Sequence, residues 1–213
     1  QNPGVVSAIH PTPAKVVAAQ LDCVFSSLPI RAVKTGMLYS RSIIDAVAQC
    51  LAKRKQVQLV IDPVMISSSG TPLLKPSAAL ALSARLLPLA KLVTPNLEEA
   101  AALAKRQVRE PEEMRDAARA IHERFGCAVL VKGGHMKTTK AIDLFYDGRE
   151  EFLLSAPRAK GVSPPGTGCT YSAAITAFLA RGEQLPGAVE LAKQHMVEAF
   201  SGVFRVGKHR FLG

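Results

Sequence analysis

Short aliphatic runs alternate along the chain with longer stretches whose apolar positions return every three or four residues. The runs predict strands over residues 32–37 (ending at Gly36), 57–61, 92–94 and 128–132. The longer stretches predict helices over 11–25, 40–53, 76–87, from Pro95-Asn96 through 104, and over 110–125, 167–180 and 185–200. Ser40 suits an N-cap, and Pro76 suits a first helical position. Two further runs, 141–146 and 151–154, flank Asp147-Gly148 and read as a hairpin. Strand–helix alternation of this kind predicts parallel βαβ units. No internal repeat, low-complexity tract or linker interrupts the 213 residues, so 1–213 reads as a single α/β domain.

The strands share one feature. They end in polar or Gly/Pro corners that open helices: Lys34-Thr35-Gly36, Asp62-Pro63, Thr94-Pro95-Asn96 and Lys132-Gly133-Gly134. In an open parallel sheet such C-terminal edges converge on a ligand crevice. Gly166-Thr167-Gly168-Cys169-Thr170 leads into a helix of small residues. Its glycines let backbone approach a ligand, and the exposed N–H groups of a helix start favour an anion and a cysteine thiolate. The same five residues also suit a plain Gly-rich turn with Cys169 as a small packed side chain. Asp62 suits Mg²⁺ at a strand end, or the fixing of the turn before Pro63. Asn96 and Glu99 share one helical face and suit a metal–phosphate site, or a capping box. Lys132 suits a phosphate point charge or an ordinary strand-end lysine. Lys193 suits the same role more weakly, and His135 suits a base or a turn position.

Lys and Arg number 27 against 17 Asp and Glu, a formal charge of +10 that favours anionic partners. Without Trp, and with 5% aromatics, no base-stacking platform is expected, and so no nucleic-acid partner. No GxxxxGK[ST] loop occurs. Cys23, Cys50, Cys127 and Cys169 have no metal-ligand spacing and point to a reducing compartment. The most apolar stretch, 78–93, is broken by Ser83, Arg85, Pro88 and Lys91, so neither a membrane span nor a signal peptide is expected.

Taken together the segments resemble the hydroxymethylpyrimidine/phosphomethylpyrimidine kinases of thiamine biosynthesis, in the ribokinase-like superfamily. QN at Gln1, VAAQLDCVF from Val17, KTGML from Lys34, VIDPVM from Val60 and SGTPLL from Ser69 carry the resemblance. TPNLEEAAAL from Thr94, VLVKGGH from Val129, LFYDG from Leu144, GTGCTYSAAI from Gly166 and VELAK from Val189 continue it in family order. The resemblance implies a three-layer sandwich with a mostly parallel central sheet and helices on both faces. It implies a cytoplasmic, homodimeric enzyme using Mg²⁺ and ATP on a small pyrimidine and then on its monophosphate. Cys169 would be the base, with Gly166, Thr167 and Gly168 as the anion hole. Lys132, Lys193 and Asn96 would meet phosphates, and Asp62 and Glu99 would organise Mg²⁺. Gln1 and Met37 would contact the pyrimidine. Family chains start with a further strand and a Gly-rich loop, so an N-terminal strand is expected to be missing here. The family commonly has His before GTGC, where this chain has Ser163-Pro164-Pro165. A pyridoxal kinase of the same GTGC type and a non-catalytic pyrimidine-binding module are the alternatives.

Overall fold

The computed structural model describes residues 2, 5–66, 72–134, 139–157, 164–207 and 209–213. Six strands form one sheet: β1 (Ala32–Thr35), β2 (Gln58–Ile61), β3 (Leu92–Val93), β4 (Ala128–Lys132), β5 (Lys140–Tyr146) and β6 (Glu151–Pro157). They lie in chain order, β1 to β4 parallel and β4-β5-β6 antiparallel. The helices between the parallel strands are α2 (Arg41–Ala52), α3 (Pro76–Ala81), α4 (Leu97–Ala104) and α5 (Pro111–Phe125), with α1 (Ala14–Ser27) ahead of β1. All pack on one face, over Leu59, Ile61, Val93, Val129 and Val131. Right-handed crossovers confined to one face advance the sheet in one direction, which is why spatial order follows chain order.

Helices α6 (Thr167–Ala180) and α7 (Leu185–Ser201) cover the opposite face, over Val60, Leu92, Ala128, Leu130 and Phe145. The expected three layers are therefore present. Both faces being covered explains why the central strands read as unbroken apolar runs rather than as alternation.

Several boundaries depart from expectation: α1 runs Ala14–Ser27 rather than 11–25, and β1 ends at Thr35 rather than 37. The 76–87 helix narrows to α3 and continues as a π-turn over Leu82–Leu86 and a 3₁₀ turn over Leu87–Leu89. Pro88, which lacks an N–H and crowds the preceding turn, prevents a regular continuation. β6 runs on to Pro157, because its pairing with β5 extends to Lys140↔Pro157. A C-terminal hairpin, β7 (Phe204–Val206) with β8 (His209–Phe211), lacked a strand signal because its residues are largely exposed. Ser40 caps α2 as expected, accepting from the Ile43 amide.

Candidate active site

Strand alternation explains which corner residues meet. Ala32, Val60, Leu92 and Leu130 face α6 and α7. Two residues further on, Lys34, Asp62, Thr94 and Lys132 therefore lie on that same face, just at the strand ends. Asp143, two residues before Phe145 and in register with Lys132, joins the row from β5.

Asp62, at 2% exposure, is the centre of this row. Its Oδ1 accepts from Lys132 Nζ at 2.8 Å and from the Thr94 hydroxyl at 3.3 Å, and its Oδ2 accepts from the Ser172 hydroxyl at 3.3 Å. Ser172 is fully buried one turn into α6 and can also donate to the Cys169 carbonyl. Asp62 thus ties β2, β3, β4 and α6 together.

The glycine motif forms the start of α6. Gly166 is the N-cap with φ of 84°, a left-handed conformation that disfavours a side chain. The first helical hydrogen bond runs from the Thr170 amide to the Gly166 carbonyl. The amides of Thr167, Gly168 and Cys169 therefore lie outside the helix ladder and are free for an anion. The Thr167 hydroxyl donates to the Pro164 carbonyl at 2.7 Å, so this proline shapes the turn through its acceptor. A Cβ on Gly168 would stand 3.1 Å from Lys132 Nζ, which places the lysine ammonium directly beneath the helix start.

Cys169 is exposed. The sequence suggested a stabilised thiolate there, and the structure corrects it. Partial desolvation, then the negative charge of Asp62, push the thiol up. Lys34 and Lys132 pull the other way without reversing the shift.

Asn96 and Glu99 form a capping box on α4. The Asn96 side chain accepts from the Glu99 amide at 2.9 Å, and Glu99 Oε2 accepts from the Asn96 amide at 2.8 Å. Glu99 Oε1 accepts from the Met65 amide at 3.4 Å. The Glu99 carboxyl is pushed up, chiefly by desolvation, against the pull of Lys132. Among the described residues it forms no ion pair. A buried carboxylate short of a cation, beside Asp62, fits the way Mg²⁺ binds: one or two carboxylates, with waters and phosphate oxygens completing the shell. No cluster of three or more His, Cys, Asp or Glu side chains suited to a metal occurs among the described residues.

Lys193 is held by Asp143, Nζ to Oδ2 at 2.6 Å. Asp143 Oδ1 accepts from the Gly133 amide at 3.0 Å, so this carboxylate anchors both α7 and the corner after Lys132. Met37 is 40% exposed at the corner after β1. Gln1, His135 and Ser163 lie outside the described residues. Asp143 and Ser172 escaped the sequence reading. The available signal for Asp143 was a carboxylate inside the apolar run Ala141 to Tyr146; Ser172 offered none.

A mostly parallel sheet with this lysine–carboxylate edge under a glycine helix start suits the binding of phosphate groups. Residues 1–212 match the family model described as phosphomethylpyrimidine kinase. The hydroxymethylpyrimidine/phosphomethylpyrimidine kinase of Rhizobium meliloti is 46% identical over 207 residues, covering 97% of this chain and 77% of that protein. The thiamine biosynthesis bifunctional protein of Geobacter sulfurreducens is 41% identical over 199 residues, covering 93% of this chain but 41% of its own length. The crystal structure of an ADP complex of Bacillus subtilis pyridoxal kinase is 33% identical with a TM-score of 0.87, covering 95% of this chain and 77% of that one. This chain belongs to the phosphomethylpyrimidine kinase family: it is a kinase. No described helix is long and apolar enough to cross a membrane.

Proposed function

We propose that this protein transfers the ATP γ-phosphoryl group to the hydroxymethyl group of 4-amino-5-hydroxymethyl-2-methylpyrimidine, and then phosphorylates the monophosphate to the diphosphate, in thiamine biosynthesis. The observation that carries this reading is the Lys132–Asp62 pair seated beneath the Gly166–Cys169 helix start.

In the first step the acceptor oxygen bonds to the γ-phosphorus, and the bond to the β,γ-bridging oxygen breaks. ADP leaves with that electron pair, and the acceptor proton passes to Cys169 Sγ. Such transfers rely on positioning and charge neutralisation more than on a strong base, so a small thiolate fraction suffices. The amides of Thr167, Gly168 and Cys169 and the ammonium of Lys132 would hold charge on the moving group. Asn96 and Lys193 would meet nucleotide phosphates, Lys193 by leaving or sharing Asp143. Glu99, with Asp62 beside it, would hold Mg²⁺, which supplies neutralisation of phosphate charge when bound. Gln1 and Met37 would contact the pyrimidine. The same reading places a homodimer in the cytoplasm.

The likeness to the B. subtilis enzyme supports a second reading, in which pyridoxal is the acceptor. ADP release by the full-length protein, with each acceptor alone, separates the two. Turnover on the pyrimidine and its monophosphate is expected. Turnover on pyridoxal alone would select the second reading. Pyrimidine binding without ADP release from any acceptor would make the chain a non-catalytic module.

A further inference from the structure

Three lysines lie along the site, and they differ in one respect. Lys132 is neutralised by Asp62 and Lys193 by Asp143. Lys34, half-buried at the end of β1, forms no ion pair with any described residue. It shares the sheet face of Asp62 and Lys132, one strand further out. Its ammonium folds back toward Gly36, where a Cβ would stand 3.1 Å from Nζ. Of the cations acting on the Cys169 thiol, Lys34 acts more strongly than Lys132.

A lysine without a carboxylate partner is the one free to meet an incoming anion, because it breaks no buried pair to do so. An anion it meets would lie at the end of β1, one strand further out than Asp62, whereas Lys132 sits beneath the helix start. A neutral hydroxymethyl acceptor presents no such charge. A phosphate monoester acceptor carries about −1.5 to −2 at neutral pH.

We propose that Lys34 binds the phosphate of the phosphorylated acceptor and makes the second phosphorylation possible. This rests on the function proposed above. In that step an oxygen of the acceptor phosphate bonds to the γ-phosphorus. The bond to the β,γ-bridging oxygen breaks, and ADP leaves with the electron pair. A dianionic acceptor phosphate has no proton to lose, so the step calls for a cation at the acceptor and not for a base. Lys34 and Cys169 thus serve different steps in one site.

The test compares kcat/KM for the pyrimidine and for its monophosphate in full-length wild-type, Lys34→Met and Lys34→Arg proteins. In Lys34→Met the ratio of monophosphate to pyrimidine efficiency is expected to fall about tenfold or more, the value of one charged hydrogen bond. Lys34→Arg keeps the charge and is expected to restore most of that ratio. An unchanged ratio in Lys34→Met overturns the proposal. So does a rise in the KM for ATP that is equal with both acceptors, which would assign Lys34 to the nucleotide. Failure of Lys34→Arg to recover any of the ratio also overturns it. A wild-type protein inactive on both acceptors is a separate result, visible without any variant, and overturns the functional reading itself.

Discussion

The two buried lysine–carboxylate pairs lie on one face of the sheet and are almost equally enclosed. The Lys132 and Asp62 side chains are 13% and 3% exposed, and those of Lys193 and Asp143 are 12% and 6%. Their carboxylates are completed differently. Asp62 takes two side-chain hydroxyls, Thr94 and Ser172, and its charge acts on the Cys169 thiol. Asp143 takes a backbone amide, that of Gly133. On the proposed function the first pair belongs to the reacting centre, while Asp143 also fixes the corner after Lys132 and holds α7 through Lys193. Similar burial predicts similar stability losses on breaking either pair, so only activity can tell them apart.

Lys132→Ala is expected to have the largest effect. It leaves Asp62 buried and unpaired, a cost of about 3–5 kcal/mol in denaturant unfolding. Turnover should fall about 10²–10³-fold with either acceptor, through loss of charge stabilisation beneath the helix start. Retained turnover in a folded variant would remove Lys132 from the reacting centre.

Cys169→Ala comes next, with a loss of about 10²-fold or more on the pyrimidine and a smaller one on the monophosphate. The pH profile sharpens this. A thiol pushed up is mostly protonated at neutral pH, so first-step turnover should climb about tenfold per pH unit until the thiol ionises. The monophosphate step should lack that limb, as should Cys169→Ala with either acceptor. A profile identical for both acceptors would remove Cys169 as the base.

Asp143→Asn should destabilise the fold about as much as Lys132→Ala, since Lys193 loses its partner. Below its melting transition, however, it should lose only about tenfold in turnover, as expected for a loosened corner. A loss matching that of Lys132→Ala would erase the distinction between the pairs. Ser172→Ala should be the mildest change, about 1.5–3 kcal/mol in unfolding for one hydrogen bond to a charged group. A larger loss than in Asp143→Asn would mean that the hydroxyls, not the lysine, hold Asp62.

Much of the fold was legible in the chain. β4 spans residues 128–132 as expected, because a fully buried strand needs an unbroken apolar run, and Gly133-Gly134 ends it. The helix over 167–180 was equally plain, bounded by Gly166 and Arg181. The π-turn before Pro88 and the exposed C-terminal hairpin were not legible, because five residues, or strands of three, are too short for a period to register.

At the site, local chemistry marked Asp62, Lys132 and Gly166 to Cys169, since each stands at a turn where backbone or charge is exposed for a reason. The capping box of Asn96 and Glu99 was also readable, being a contact three residues apart. Everything that depended on partners far along the chain was decided only by the tertiary structure. Lys132 meets Asp62 across 70 residues, Ser172 meets it across 110, and Lys193 meets Asp143 across 50. The sequence alone determined which residues could carry charge to the sheet edge. Folding determined which of those charges are neutralised: of the three lysines along the site, Lys132 and Lys193 gain a carboxylate and Lys34 forms no ion pair among the described residues. The reason is physical: Coulomb energy depends on distance and burial, and neither is set until the strands are side by side.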